Sequence, residues 1–122
     1  MSKRILVVED QKDDRQIIRD MLAATDYEIA EAEDGEQALT AVAKERPDLI
    51  LMEIQLPIMD GYEATRRIKA DASLRSIPII AVTSYALSGE GQKARVAGCD
   101  DYVPKPYSPR ELLAKIRQYM PK

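Results

Sequence analysis

Residues 48–57 read Asp-Leu-Ile-Leu-Met-Glu-Ile-Gln-Leu-Pro. Leu49–Met52 is apolar at four successive positions and then stops at Glu53. A strand with one wet face alternates polar and apolar residues; an unbroken apolar run is what a parallel strand covered on both faces needs. Two other runs share this form. Ile5-Leu6-Val7-Val8 ends in Glu9-Asp10, and Tyr102-Val103-Pro104 ends in Lys105-Pro106. In a parallel sheet with helical crossovers, the C-terminal strand ends lie along one edge, where ligands bind. The carboxylates after the first and third runs would therefore converge with an ammonium group from the last. Clustered acids repel unless a cation sits among them. A hard divalent cation such as Mg²⁺ fits that demand, with Lys105 as a fixed positive neighbour, and such a constellation handles phosphate.

Working outward, strand-like runs alternate with amphipathic segments five times. The predicted strands are Arg4–Val8, Glu28–Ala32, Asp48–Met52, Ile77–Thr83 and Asp101–Val103. Helical stripes are formed by Ile17, Ile18, Met21 and Leu22, by Ala38, Leu39 and Val42, and by Leu112, Leu113, Ile116 and Tyr119. Ser108-Pro109-Arg110-Glu111 is a capping box with proline at the first helical position. Asp60 before Gly61-Tyr62-Glu63 is a similar start, and Asp34 with Gln37 a weaker one. The predicted fourth helix opens on Ser88-Gly89-Glu90-Gly91, whose glycines soften it. The pattern predicts an α/β domain: a doubly wound five-stranded parallel sheet, (βα)5, filling residues 1–122.

Composition narrows the function. The chain has 122 residues, 45% of them apolar, and a net charge of -3, without a basic run that would suit direct nucleic-acid binding. No apolar stretch is long enough for a membrane span, and the N-terminus has no secretory pattern. The single cysteine, Cys99, cannot form an internal disulfide; it is expected to be a buried apolar residue in a cytoplasmic protein. With no histidine, Ser-His-Asp and Cys-His catalysis and His-ligated zinc are excluded, as is the histidine-bearing role in phosphotransfer.

Several separated motifs resemble the receiver domain of two-component response regulators, across essentially the whole chain. They are Glu9-Asp10, the 48–57 segment followed by Met59-Asp60-Gly61, the strand end Ala81-Val82-Thr83, and Gly98-Cys-Asp-Asp-Tyr-Val-Pro-Lys105-Pro106. The resemblance implies a flavodoxin-like fold and a signalling switch rather than an enzyme. It implies Mg²⁺ held by Glu9, Asp10, the residue 53 carboxylate and the Gln55 carbonyl. Phosphoryl sensing falls to Thr83 and Lys105, with Pro106 cis, and the switch aromatic is Tyr102. The implied partners are a sensor histidine kinase or phosphotransfer protein upstream. Downstream, a target protein would bind the face made by the fourth helix, fifth strand and fifth helix.

One position departs from the family: the aspartate that accepts the phosphoryl group is replaced by Glu53. Glutamate keeps the charge and adds one methylene, roughly 1.5 Å of chain. Its carboxylate can reach outward, toward the place a phosphoryl group takes, or swing toward Lys105. That suggests a phosphomimic or a phosphorylation-deficient receiver. Two other classes make demands that this chain does not meet. A Mg²⁺-dependent phosphatase or phosphotransferase would need an aspartyl nucleophile and a substrate-covering cap. A flavin-binding protein would need a hydroxyl- and glycine-rich anion loop after the first strand, where this chain has Glu9-Asp10-Gln11-Lys12-Asp13-Asp14.

Overall fold

The computed structural model describes residues 3–83 and 97–120. Five strands, β1 (Arg4–Val8), β2 (Glu28–Ala32), β3 (Leu49–Glu53), β4 (Ile79–Thr83) and β5 (Asp101–Pro104), form one parallel sheet in the order β2-β1-β3-β4-β5. The described helices are α1 (Lys12–Leu22), α2 (Gly35–Lys44), α3 (Gly61–Ala70) and α4 (Pro109–Tyr119). The last of these is the fifth helix of the sequence pattern; the predicted fourth, starting near Ser88, lies outside the described residues. Among the described residues no helix is long and apolar enough to cross a membrane.

The apolar runs are buried because both faces of the sheet are covered. Successive side chains along a strand point to opposite faces. Leu6, Val8, Ile50 and Met52 join Ala38, Val42, Ala64 and Ile68 in one core layer. Ile5, Val7, Leu49 and Leu51 join Ile18, Leu22, Leu112 and Ile116 in the other. The chain leaves β1 for β2 on one side and returns to β3 on the other. The ends of β1 and β3 therefore flank the crevice where the winding reverses, the usual ligand site of such sheets.

The helix starts follow the sequence signals. Ser108 and Glu111 form the reciprocal capping box, and Asp60 and Asp34 accept from the N–H groups of Glu63 and Gln37 at 2.9 and 2.8 Å. Three details differ from expectation. The fourth strand starts at Ile79, not Ile77: Pro78 has no N–H to donate, and the Ile77 carbonyl is taken by Lys69 Nζ at 2.8 Å. The third starts at Leu49 and extends to include Glu53, while Asp48 turns its carboxylate onto the Arg4 N–H at 2.8 Å. Ile17 is 52% exposed, because the core-facing side of α1 centres on Ile18 and Leu22.

Gly61 sets how closely α3 approaches the end of β3. Its N–H donates to the Ile54 carbonyl at 2.8 Å, and a Cβ there would lie 2.3 Å from the Glu53 carbonyl oxygen. The obstacle is backbone, so it cannot rotate away. Gly61→Ala is expected to destabilise the fold by about 2–3 kcal/mol, the upper part of the range for overpacking. A urea midpoint unchanged from the native protein's would contradict this.

Candidate functional site

Glu9 follows β1 and is buried; its N–H pairs with the Ala32 carbonyl at 3.0 Å, which holds the residue at the sheet edge. Oε2 of Glu9 accepts from the Gln11 N–H at 3.1 Å, leaving Oε1 directed at Lys105, 2.8 Å from Nζ. Arg15 donates to the Glu9 carbonyl at 2.8 Å and pairs with Glu31 at 2.9 Å, fixing the first turn of α1 against β2.

Glu53 closes β3 with only 8% of its side chain exposed. The carboxylate does not extend outward. It folds back, so that Oε2 accepts from the N–H groups of Ile54 and Gln55 at 2.8 and 3.2 Å. Oε1 accepts from Lys105 Nζ at 2.5 Å. Of the two placements open to the longer side chain, it takes the one toward Lys105, and two backbone donors at the strand's end hold its other oxygen.

Lys105 stands just beyond β5, its peptide bond to Pro106 cis, and its N–H donates to the Thr83 carbonyl at 2.8 Å. That bond ties the ends of β4 and β5 together. Thr83 itself is fully buried. The Lys105 ammonium contacts three carboxylates: Glu53, Glu9, and Asp14 Oδ2 at 3.4 Å. Glu9 and Glu53 converge with Lys105 as expected, and the ammonium bonds both carboxylates directly. Burial alone would drag the ammonium down; its hydrogen bonds to Glu53 and Glu9 outweigh this and hold it above the usual lysine range. Glu9 is shifted the other way from an ordinary ion pair. Burial raises its carboxyl more than Lys105 lowers it, since the one ammonium is shared and Glu53 lies opposite. Tyr107, half-buried two residues on, has its hydroxyl raised by burial.

Asp10 is not in this cluster. It is half-buried and turns Oδ2 to the Gln11 side chain at 3.3 Å. Gln55 is exposed, its N–H already used by Glu53. Among the described residues no three Cys, Asp or Glu groups are arranged around a metal position, because Glu9 and Glu53 face Lys105. Tyr102 is half-buried against the core layer of α2 and α3, and its backbone pairs with Ala81. It also borders a groove of about 290 Å³ between β5 and α4, with Pro104, Glu111, Lys115 and Gln118.

Sequence reasoning missed Asp14. A signal existed: the acids of residues 9–14 continue into α1, and Asp14 lies four residues, about one helical turn, beyond Asp10. It also missed Ile58, which is 75% exposed at φ +70° in the loop after β3, closed by a 2.7 Å bond from the Met59 N–H to the Pro57 carbonyl. A β-branched residue in that backbone region carries strain, and nothing in the residue type announces it. Cys99 is buried beside Thr65, and burial pushes its thiol up to about 11, so it is an unreactive packing residue.

Known proteins share this sequence pattern and fold. The polar-differentiation response regulator DivK of Brucella anthropi is 40% identical over 120 residues, covering 98% of both chains, and that of Brucella ovis is 39% identical over the same span. The receiver domain of a sensor histidine kinase from Pseudomonas aeruginosa superposes with a TM-score of 0.92 at 37% identity over the full length of both chains. That structure has a magnesium ion coordinated in its active-site cleft. The chemotaxis response regulator CheY4 of Vibrio cholerae gives a TM-score of 0.91 at 26% identity, covering 98% of this chain and 99% of that one. The pattern of the response regulator receiver domain matches residues 5–117. With the lysine, the buried acids and the crevice at the winding reversal in place, the chain belongs to the response regulator receiver domain family and serves two-component signalling.

Proposed function

We propose that Glu53 occupies the phosphoacceptor position of this receiver, and that the chain signals as a phosphorylation-deficient, partly activated switch rather than as an enzyme. The observation that carries this is the 2.5 Å contact between Lys105 Nζ and Glu53 Oε1, made while Oε2 is held by two backbone N–H groups. Both carboxylate oxygens are engaged. Phosphate offers nearly two charges and three oxygens, whereas glutamate offers one charge and two oxygens. A ligand or substituent shifts a two-state equilibrium only by its differential affinity for the two states, so this mimicry is partial.

The remaining roles follow the same reading. Glu9 and Asp10, with the Gln55 carbonyl, are the oxygen donors a hard cation requires. Mg²⁺ there would supply charge neutralisation for a phosphoryl group. Their chemistry fits the ion, provided that Lys105 yields the Glu9 oxygen it now holds. Lys105 and Thr83 sense the acceptor, and Tyr102 relays its state. The upstream partner is a histidine kinase or phosphotransfer protein. A downstream protein reads the face of the fourth helix, β5 and the last helix, whose described part is the groove beside Tyr102. Residues 1–122 act as one receiver unit.

NMR comparison of three samples tests the reading: the native chain, untreated Glu53→Asp, and Glu53→Asp with beryllofluoride. Shifts of the native chain over residues 79–83 and 101–106 are expected to lie between the two reference states, closer to the untreated one. Coincidence with the treated sample would make Glu53 a full mimic. Coincidence with the untreated sample would leave it no activating effect. Either result overturns partial activation.

A further inference from the structure

We propose that Asp14 is a positioning residue for Lys105: the carboxylate onto which the ammonium shifts when a divalent cation takes Glu9. This rests on the reading of Glu9 and Asp10 as cation ligands. An ammonium has three N–H donors and here faces three carboxylates, at 2.5, 2.8 and 3.4 Å. The first two are short charge-assisted hydrogen bonds; the third is long and weak. The two close partners are buried, while Asp14 has 40% of its side chain exposed and projects from α1 on the solvent side.

Cation entry forces a choice at one atom. Oε2 of Glu9 is turned onto the Gln11 N–H, while Oε1 faces the cluster, so Oε1 is the oxygen best placed for an ion entering there, and Lys105 already holds it. Two cations on one oxygen repel strongly at such range. Lys105 must therefore leave Glu9. Its backbone N–H, bonded to the Thr83 carbonyl, keeps the root of the side chain at the site, so the nearest new partner lies within the cluster. It need not leave Glu53. Closing the 3.4 Å gap to Asp14 replaces the lost bond within the side chain's existing reach. Three ionised carboxylates against one ammonium leave two negative charges uncompensated, which suits a divalent ion entering while the lysine stays.

A double-mutant cycle on Mg²⁺ affinity separates this from simple attraction by a nearby acid. Affinity is read from backbone amide shifts of Gln11 and Gln55 in the native chain, Asp14→Asn, Lys105→Met and the double variant. Asp14→Asn is expected to weaken Mg²⁺ binding roughly three- to tenfold when Lys105 is present, the scale of coupling between contacting residues. In the Lys105→Met background the same change should have less than about a twofold effect, the coupling having been removed. Lys105→Met alone should tighten binding, its competitor being gone. Equal effects in both backgrounds would make Asp14 a remote charge and overturn the proposal. No binding to any of the four proteins would overturn the cation site and the proposal with it. Should Lys105→Met not fold, the Lys105 ¹⁵Nζ signal decides. At saturating Mg²⁺ it should persist in the native chain and be lost to exchange in Asp14→Asn; equal persistence in both refutes the role.

Discussion

Glu53→Asp is expected to take up a phosphoryl group from acetyl phosphate at least about 10²-fold faster than the native chain, on the scale that a displacement of about 1 Å costs in an oriented reaction. In the reaction a carboxylate oxygen of residue 53 attacks phosphorus, a P–O bond forms, and acetate leaves with the electrons of the bond that breaks. The native carboxylate is poorly placed for this. Its extra methylene lets it fold back until Oε2 rests on the N–H groups of Ile54 and Gln55, and Lys105 binds Oε1 at 2.5 Å. Both oxygens are hydrogen-bonded, and neither is directed outward as a nucleophile. Aspartate is too short to fold back in the same way, so an oxygen is freed while Lys105 keeps Glu9 as its second anchor. Intact-mass spectrometry over a time course, with Glu53→Gln as the blank, reads the result. Equal rates for the native chain and Glu53→Asp would show that glutamate is a competent acceptor, or that another residue takes the phosphoryl group.

The same fold-back shows where a sequence stops being informative. The five strands were legible because unbroken runs such as Leu49–Met52 have no stable place except between two covered faces. Caps at Ser108, Asp60 and Asp34 were legible because they are local: a side chain bonds a backbone group three residues on. That acids and a lysine would meet was legible from where strands end. Which acid meets the lysine was not. Asp14, which the strand-end reading passed over, points at Lys105, whereas Asp10 turns an oxygen to Gln11. These outcomes depend on helix phase and side-chain rotamers across four elements, differences of an ångström or two that residue spacing does not encode. The fold-back of Glu53 depends on two N–H groups left without strand partners, visible only once the end of β3 is built. Likewise Ile17 and Ile18 read as one apolar stripe, yet one residue of rotation places the first in solvent.

Lys105→Met is expected to destabilise the fold by about 2–4 kcal/mol at neutral pH. Removing one partner of a fully buried ion pair costs about 3–5 kcal/mol; the lower range applies because 18% of the Lys105 side chain is exposed. Methionine fills the volume of the aliphatic stem, so the loss reports charge rather than a cavity. Glu9 and Glu53 would then face each other, both largely buried, without a cation between them. The pH dependence identifies the cause. Glu9 is already raised, by burial acting against the Lys105 hydrogen bond, and losing that bond raises it further. A carboxyl raised above its unfolded value of about 4.3 holds more protons when folded, so stability falls as pH rises through that window and returns on acidification. The gap between native and variant should therefore narrow from pH 7 to pH 5. At the alkaline end, Lys105 is raised above its unfolded value of about 10.4, so its contribution is complete below that pH and is lost as pH climbs toward the folded value. Urea unfolding at pH 5, 7 and 9, with the slope checked for constancy, measures the gap. A variant as stable as the native chain at pH 7 would show that the lysine contributes no net stabilisation. A gap that stays constant down to pH 5 would assign the loss to packing and not to the stranded carboxylates.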